Sequence, residues 1–160
     1  MSEGVEWGIH CCALLAVLPD DIALPASRLA EFHGVPAAYL AKHLQALSAA
    51  GIVESGAGRR GGYRLARHPR DISLLDVVDA IDGDTRVFRC SEIRQRGPAA
   101  LDPSCYRKAC GIARAMWAAE QAWRDALAQQ TIADLLVGLA NDVPSEAAVK
   151  AAAWLQEVSR

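Results

Sequence analysis

The sequence predicts a mostly α fold, with one small hairpin in its first half and one long helix in its second. Alanine- and leucine-rich stretches repeat apolar residues at three- and four-residue spacing along most of the chain. Two strand-like pieces, Ile52-Val53 and Tyr63-Arg64-Leu65, flank a run containing Gly56, Gly58, Gly61 and Gly62. Between Asp84 and about Pro103 neither period holds, and turn residues mix with scattered charge. With 160 residues, 52% hydrophobic and 22% charged, the chain suits one domain or two small ones around a real core.

Each element follows from its residues. Val5 to Leu18 is apolar nearly all round and reads as a buried first helix. Pro25 opens a short helix, Ser27 to His33, which Gly34 stops. Pro36 opens a third, Ala37 to Ala50, with Leu40, Leu44 and Leu47 on one face and Gly51 beyond its end. After the hairpin, Ser73 caps a helix through Leu74, Val77, Val78 and Ile81 that stops at Gly83. A long helix is expected from about Lys108 to Gln130, with Ile112, Met116, Ala119, Trp123 and Leu127 on one stripe. Thr131 caps Ile132 to Leu139, a linker covers Asn141 to Ser145, and Glu146 to Val158 is a final alanine-rich amphipathic helix.

Several classes are set aside. The start MSEGVEWGIHCC lacks a basic region before a long apolar run, so no signal peptide is expected. Pro19, Asp20 and Asp21 end the longest apolar stretch well short of a membrane span. Five cysteines make no secreted disulfide framework, and a soluble, cytoplasmic protein is expected. No dinucleotide fingerprint, P-loop, nucleophile elbow or zinc-protease motif occurs, so neither an enzyme nor a small-molecule substrate is expected.

Three short helices followed by a hairpin is the order of a winged helix-turn-helix, whose second paired helix enters the major groove of double-stranded DNA. Charge agrees. Residues 36–70 carry Lys42, Arg59, Arg60, Arg64, Arg67 and Arg70 against Glu54 alone, in a chain of net charge −2. A basic patch on an otherwise acidic chain suits phosphate neutralisation; the alternative is a solvated arginine-rich hairpin. Pro36, Tyr39, Lys42 and His43 are expected on the exposed side of the recognition helix, with Arg59, Arg60 and Arg64 on the wing. Tyr63 either joins that surface or anchors the wing.

The run YLAKHLQALSAAGIVESGAGRRGGYRLAR, followed by ISLLDVVDAIDG and later by TIADLL, resembles the IscR/NsrR/RsrR (Rrf-two) family of bacterial regulators over roughly residues 5–139. VEWGIHCC and EIRQRGP look closest to RsrR among the three named members. The resemblance implies a homodimer joined through the long C-terminal helix, an inverted-repeat operator, and a [2Fe–2S] cluster that controls DNA binding. It divides the chain into a winged helix-turn-helix domain at 1–83, a cluster-binding loop at 84–107, a dimerisation helix and capping helix at 108–140, and a helical tail at 141–160. The stripe from Ile112 to Leu127 suits the dimer helix, and equally suits an ordinary core.

Cys90, Cys105 and Cys110 fall where that family carries cluster ligands. Fourteen residues separate the first two and four the last two, which is no general cluster motif. Such a cluster needs four ligands, and some members take one from the partner's first helix. Glu6 and His10 are an i, i+4 pair on that helix. They lie amid Val5, Trp7, Ile9, Cys11 and Leu14, where an unpaired carboxylate is costly to bury; the alternative is a simple Glu–His hydrogen bond. The resulting expectation is Cys90 and Cys110 from one protomer with Glu6 and His10 from the other, Cys105 being the spare or alternative ligand. Trp7, between the two O/N ligands, is expected to carry the signal; the alternative, at least as well supported, is a core residue. His33, His43 and His68 belong to the DNA-binding half, and Cys11 and Cys12 read as packing residues. The expected function is a regulator, read as a repressor, that senses redox state through the cluster. The alternatives are a nitric-oxide or cluster-supply sensor of the same family and a cluster-free regulator with redox-active thiols.

Overall fold

The computed structural model describes residues 1–19, 21–56, 61–84 and 86–158. In chain order the elements are α1 (Glu3–Ala16), α2 (Ala26–His33), α3 (Ala37–Ala49), β1 (Val53–Gly56), β2 (Gly62–Leu65), α4 (Leu74–Asp82), α5 (Gly111–Ala128), α6 (Ile132–Asp142) and α7 (Ser145–Val158). They fall into two compact units, Met1–Asp84 with Ala128–Arg160, and Thr85–Leu127. No helix among the described residues is long and apolar enough to cross a membrane.

The first unit holds the apolar core. Leu40, Leu44 and Leu47 of α3 are fully buried with Leu24, Leu29, Cys11, Cys12, Ile52, Ile72, Val77 and Ile132. Each large aliphatic side chain so buried contributes about 1.5–3 kcal/mol. Gly34 ends α2 in the left-handed region at φ 64°, which lets the chain turn sharply into α3. The hairpin pairs Val53 with Leu65, Glu54 with Arg64, Ser55 with Tyr63 and Gly56 with Gly62.

A third extended residue joins that hairpin. Tyr63 donates its N–H to the Leu24 carbonyl at 2.8 Å, and Leu24 donates back at 3.0 Å. Tyr63 therefore anchors the wing through its backbone. A Cβ on Gly62 would stand 2.4 Å from the Leu24 carbonyl carbon, so only glycine permits this approach.

Ser73 and Thr131 cap α4 and α6 as expected, each in a full capping box with Asp76 and Asp134. The two caps also lie side by side as an isolated antiparallel bridge. Leu74 donates to the Gln130 carbonyl at 2.8 Å and Ile132 to the Ile72 carbonyl at 2.9 Å, tying the start of α6 to the start of α4. Some boundaries move. α1 runs from Glu3 to Ala16 rather than from Val5 to Leu18. α6 continues through Asn141, whose side chain donates to the Val137 carbonyl, so the expected linker shortens to Val143 and Pro144. Proline holds the preceding residue extended, and Val143 is extended at ψ 123°.

The second unit is built differently. Its long helix starts at Gly111, three residues later than expected, because an irregular segment with short 3-10 turns at Ile93–Gln95 and Pro103–Cys105 runs up to Cys110. Ala113 is its one buried residue among those described. Ile112 (68% exposed), Met116 (45%) and Trp123 (37%) leave an apolar stripe of α5 uncovered within a single chain.

Candidate nucleic-acid interface and cysteine loop

On α3 the buried leucines fix which face is left to solvent. Pro36, Tyr39 and Lys42 are exposed, as a recognition helix requires. His43 is not. Its half-buried ring covers Gly4 of α1, where a Cβ would come within 2.3 Å of it, and meets Trp7 edge-on with centroids 5.9 Å apart. The expectation of an exposed His43 is therefore corrected: the missing side chain at Gly4 makes room for the ring. Arg64 is exposed but ion-paired with Glu54 across the hairpin at 2.7 Å. Arg67 turns to the protein instead, donating to the carbonyls of Gly51 and Asp71 at 3.2 Å each. Arg59 and Arg60 lie outside the described residues.

Glu6 and His10 share the solvent side of α1, with Ile9, Glu3 and Met1 lining a shallow depression there. Both are exposed, which corrects the expectation that Glu6 sits among apolar neighbours. A solvated carboxylate carries no burial cost for a metal to relieve. His10 lies against His33, centroids 5.6 Å apart. Burial and then the neighbouring His10 push the His33 pKa down, and its Nε2 is buried with no partner. Phe32, beside it, packs on Trp154 of α7 at 4.9 Å.

In the second unit Cys90 and Cys105 are exposed and Cys110 is half-buried at the start of α5. The N–H groups of Ala113 and then Ile112 hydrogen-bond the Cys110 sulfur and hold its thiol below the usual range, with a smaller contribution from the Arg94 guanidinium. The Cys90 sulfur accepts the Glu92 N–H at 3.4 Å. Cys11 and Cys12 are the opposite case. Burial pushes both up to about 12, as packing residues require.

Cys90, Cys105 and Cys110 are free thiols, the donor type that iron–sulfur ligation draws on. Among the described residues no three His, Cys, Asp or Glu side chains gather to hold a metal ion. Sequence periodicity carries no sign of Glu92, Arg94 and Tyr106, which form a polar cluster beside the cysteines. Arg94 grips the Glu92 carboxylate through Nε and Nη2 and lies over the Tyr106 ring. Their only signal was a run of charge in a segment without a period.

A family model described as Rrf2, iron-dependent transcriptional regulator, matches residues 1–138. The HTH-type transcriptional repressor NsrR of Streptomyces coelicolor is 33% identical over 137 residues, covering 85% of this chain and 87% of that one. Relatives from Lactococcus lactis and Bacillus subtilis are 33% and 32% identical, and the matched stretch spans only 61% and 57% of their length. Among solved structures, IscR of T. potens superposes with a TM-score of 0.62 at 25% identity, covering 86% of both chains. CymR, the global cysteine regulator of B. subtilis, superposes with the same score at 21% identity over 86% of this chain and 95% of that one. The last likeness concerns the fold alone.

Proposed function

From the premise that this chain belongs to the Rrf2 family of transcriptional regulators, non-enzymatic proteins that bind DNA, we propose a homodimeric cytoplasmic repressor whose operator binding follows the redox state of a [2Fe–2S] cluster. The observation that carries this reading is the exposure of Cys90 together with the half-buried Cys110 at the start of α5, whose sulfur accepts N–H groups of that helix. Cys90 and Cys110 of one protomer and Glu6 and His10 of the partner subunit are the ligands, and Cys105 is the alternative. The exposure of Glu6 and His10 supports a face open to a second protomer. The uncovered stripe of Ile112, Met116 and Trp123 supports pairing through α5. Closeness to RsrR in particular belongs to this reading.

When bound, the group supplies a one-electron change, with a potential raised where imidazole replaces thiolate. The remaining parts are the chain's own. Glu6 and His10 hold one end of α1 against the ligand site. The Trp7 and His43 rings meet at a steep angle, so a shift of α1 presses on the recognition helix. Pro36, Tyr39 and Lys42 meet base edges and phosphates, while Arg64 of β2, and Arg59 and Arg60 before it in the sequence, add phosphate contacts. Arg64 trades its Glu54 partner for DNA to do so.

Anaerobically purified protein tests the assignment through its visible spectrum and its iron and sulfide content. Cys90→Ala and Cys110→Ala purify largely colourless, Cys105→Ala keeps its spectrum, and Glu6→Ala and His10→Ala assemble but lose colour in air. An iron-free Cys105→Ala protein beside normal Glu6→Ala and His10→Ala proteins reassigns the ligands to three cysteines. The exposure of Cys90 and Cys105 favours a second reading, a cluster-free thiol switch. A colourless wild type, with DNA binding that responds to thiol oxidants, selects it. Bleaching by nitric oxide with indifference to dithionite selects the nitric-oxide sensor.

A further inference from the structure

The segment from 86 to 110 carries three cysteines and buries none of its side chains, so something other than a core must set where those sulfurs stand. One side chain touches both ends of it. Arg94 takes the Glu92 carboxylate in a two-pronged grip, and its Nη2 reaches on to the Lys108 carbonyl at 3.0 Å. Its guanidinium lies 5.0 Å over the Tyr106 ring. The Tyr106 hydroxyl in turn donates to the Arg94 carbonyl at 2.7 Å and accepts the Leu101 N–H at 2.9 Å.

The two ends are the two cysteine sites. Glu92 is the residue whose N–H caps the Cys90 sulfur, and it sits at φ 50°, a left-handed conformation that a side chain of its kind rarely adopts unaided. Lys108 is two residues before Cys110. An exposed single ion pair would contribute little here. A planar fork with a carboxylate, a carbonyl and an aromatic face all engaged is a different object, because its geometry admits one arrangement of the backbone.

We propose that Arg94, seated on Tyr106, is the positioning residue that holds the Cys90 turn and the approach to Cys110 in one fixed arrangement for a shared ligand. It rests on the cluster reading above for the identity of that ligand, although the clasp itself is a property of the chain. Lysine cannot replace the fork: an ammonium has the charge but cannot grip Glu92 side-on and reach Lys108 together.

The test compares wild type with Arg94→Ala, Arg94→Lys and Tyr106→Phe in the full chain, in two measurements. Hydrogen exchange on the cluster-free protein reads the clasp directly. Peptides spanning 90–106 exchange about tenfold faster in both Arg94 variants, while those of α3 and α4 are unchanged. Loss of iron and sulfide in air from protein reconstituted with ferrous iron and sulfide accelerates by about tenfold or more, the scale for residues that orient metal ligands. Tyr106→Phe keeps the ring and loses both hydroxyl bonds, so it moves both readings the same way by less. It also decides the matter if Arg94→Ala loosens α3 and α4. The proposal is overturned if Arg94→Lys matches wild type, since charge alone then suffices, or if neither reading moves in Arg94→Ala. A wild type that takes up no iron and sulfide defeats the cluster reading, while the exchange measurement still decides the clasp.

Discussion

Cys11 and Cys12 lie sealed among aliphatic side chains of the first unit, whereas Cys90, Cys105 and Cys110 stand at or near the surface of the second. The same residue type is inert in one place and available for chemistry in the other. The first unit spends its leucines on burial: α1, α3 and α4 each turn an apolar face to a common core. The second unit has Ala113 as its one buried residue among those described. Polar links hold it instead: Val87 donates to Glu120 at 2.9 Å, Trp117 to the Phe88 carbonyl at 3.3 Å, and Arg94 to Glu92 and Lys108. Burial makes a fold that stands by itself, and surface polar links make a segment that a ligand or a partner can finish.

Core truncation gives the largest contrast. Leu44→Ala in the first unit should cost about 2–5 kcal/mol, read by urea unfolding. Ile112→Ala removes an exposed side chain and should change unfolding by about 0.5 kcal/mol or less at high protein concentration, where any dimer is saturated. Equal costs would erase the distinction between the units. Gly62→Ala is next, at about 1–3 kcal/mol, because the added methyl meets the Leu24 backbone, which cannot rotate away as a side chain can. A silent Gly62→Ala would mean that the wing does not depend on its link to Leu24.

The smallest energetic change but the sharpest contrast comes from thiol labelling of metal-free protein. Iodoacetamide at about pH 8 should modify Cys90, Cys105 and Cys110 and spare Cys11 and Cys12, with mass spectrometry counting the adducts. Burial raises the last two to about 12, so they stay protonated at the labelling pH, and labelling begins only as denaturant opens the core. Early labelling of Cys11 would show that α1 opens locally. Since Glu6, Trp7 and His10 sit on that helix, this would also bear on how it passes a signal.

Much of the first unit was legible in advance. The leucine spacing of α3, the glycine stops at 34 and 83 and the caps at Ser73 and Thr131 all appear as read, because each depends on residues within one or two turns of the chain. The expected winged helix-turn-helix order is present, with Pro36, Tyr39 and Lys42 outward. The cysteine loop was legible only as a region. Its ligand set was an inference from a resemblance, and the Arg94 clasp joins residues up to fourteen apart with no periodic signal to announce it.

The amino-acid sequence by itself determined which faces of the helices are apolar, where they start and stop, and which stretch would have no regular structure. Those are matters of local spacing and backbone preference. Only the tertiary structure decided that His43 turns inward onto Gly4 and Trp7, that Arg67 serves the backbone while Arg64 pairs with Glu54, and that Glu6 and His10 are solvated. The helical period places His43 on the same broad polar flank as Lys42. What lies against that flank depends on a glycine some forty positions earlier in the chain, and a pairing across that distance leaves no trace in local pattern.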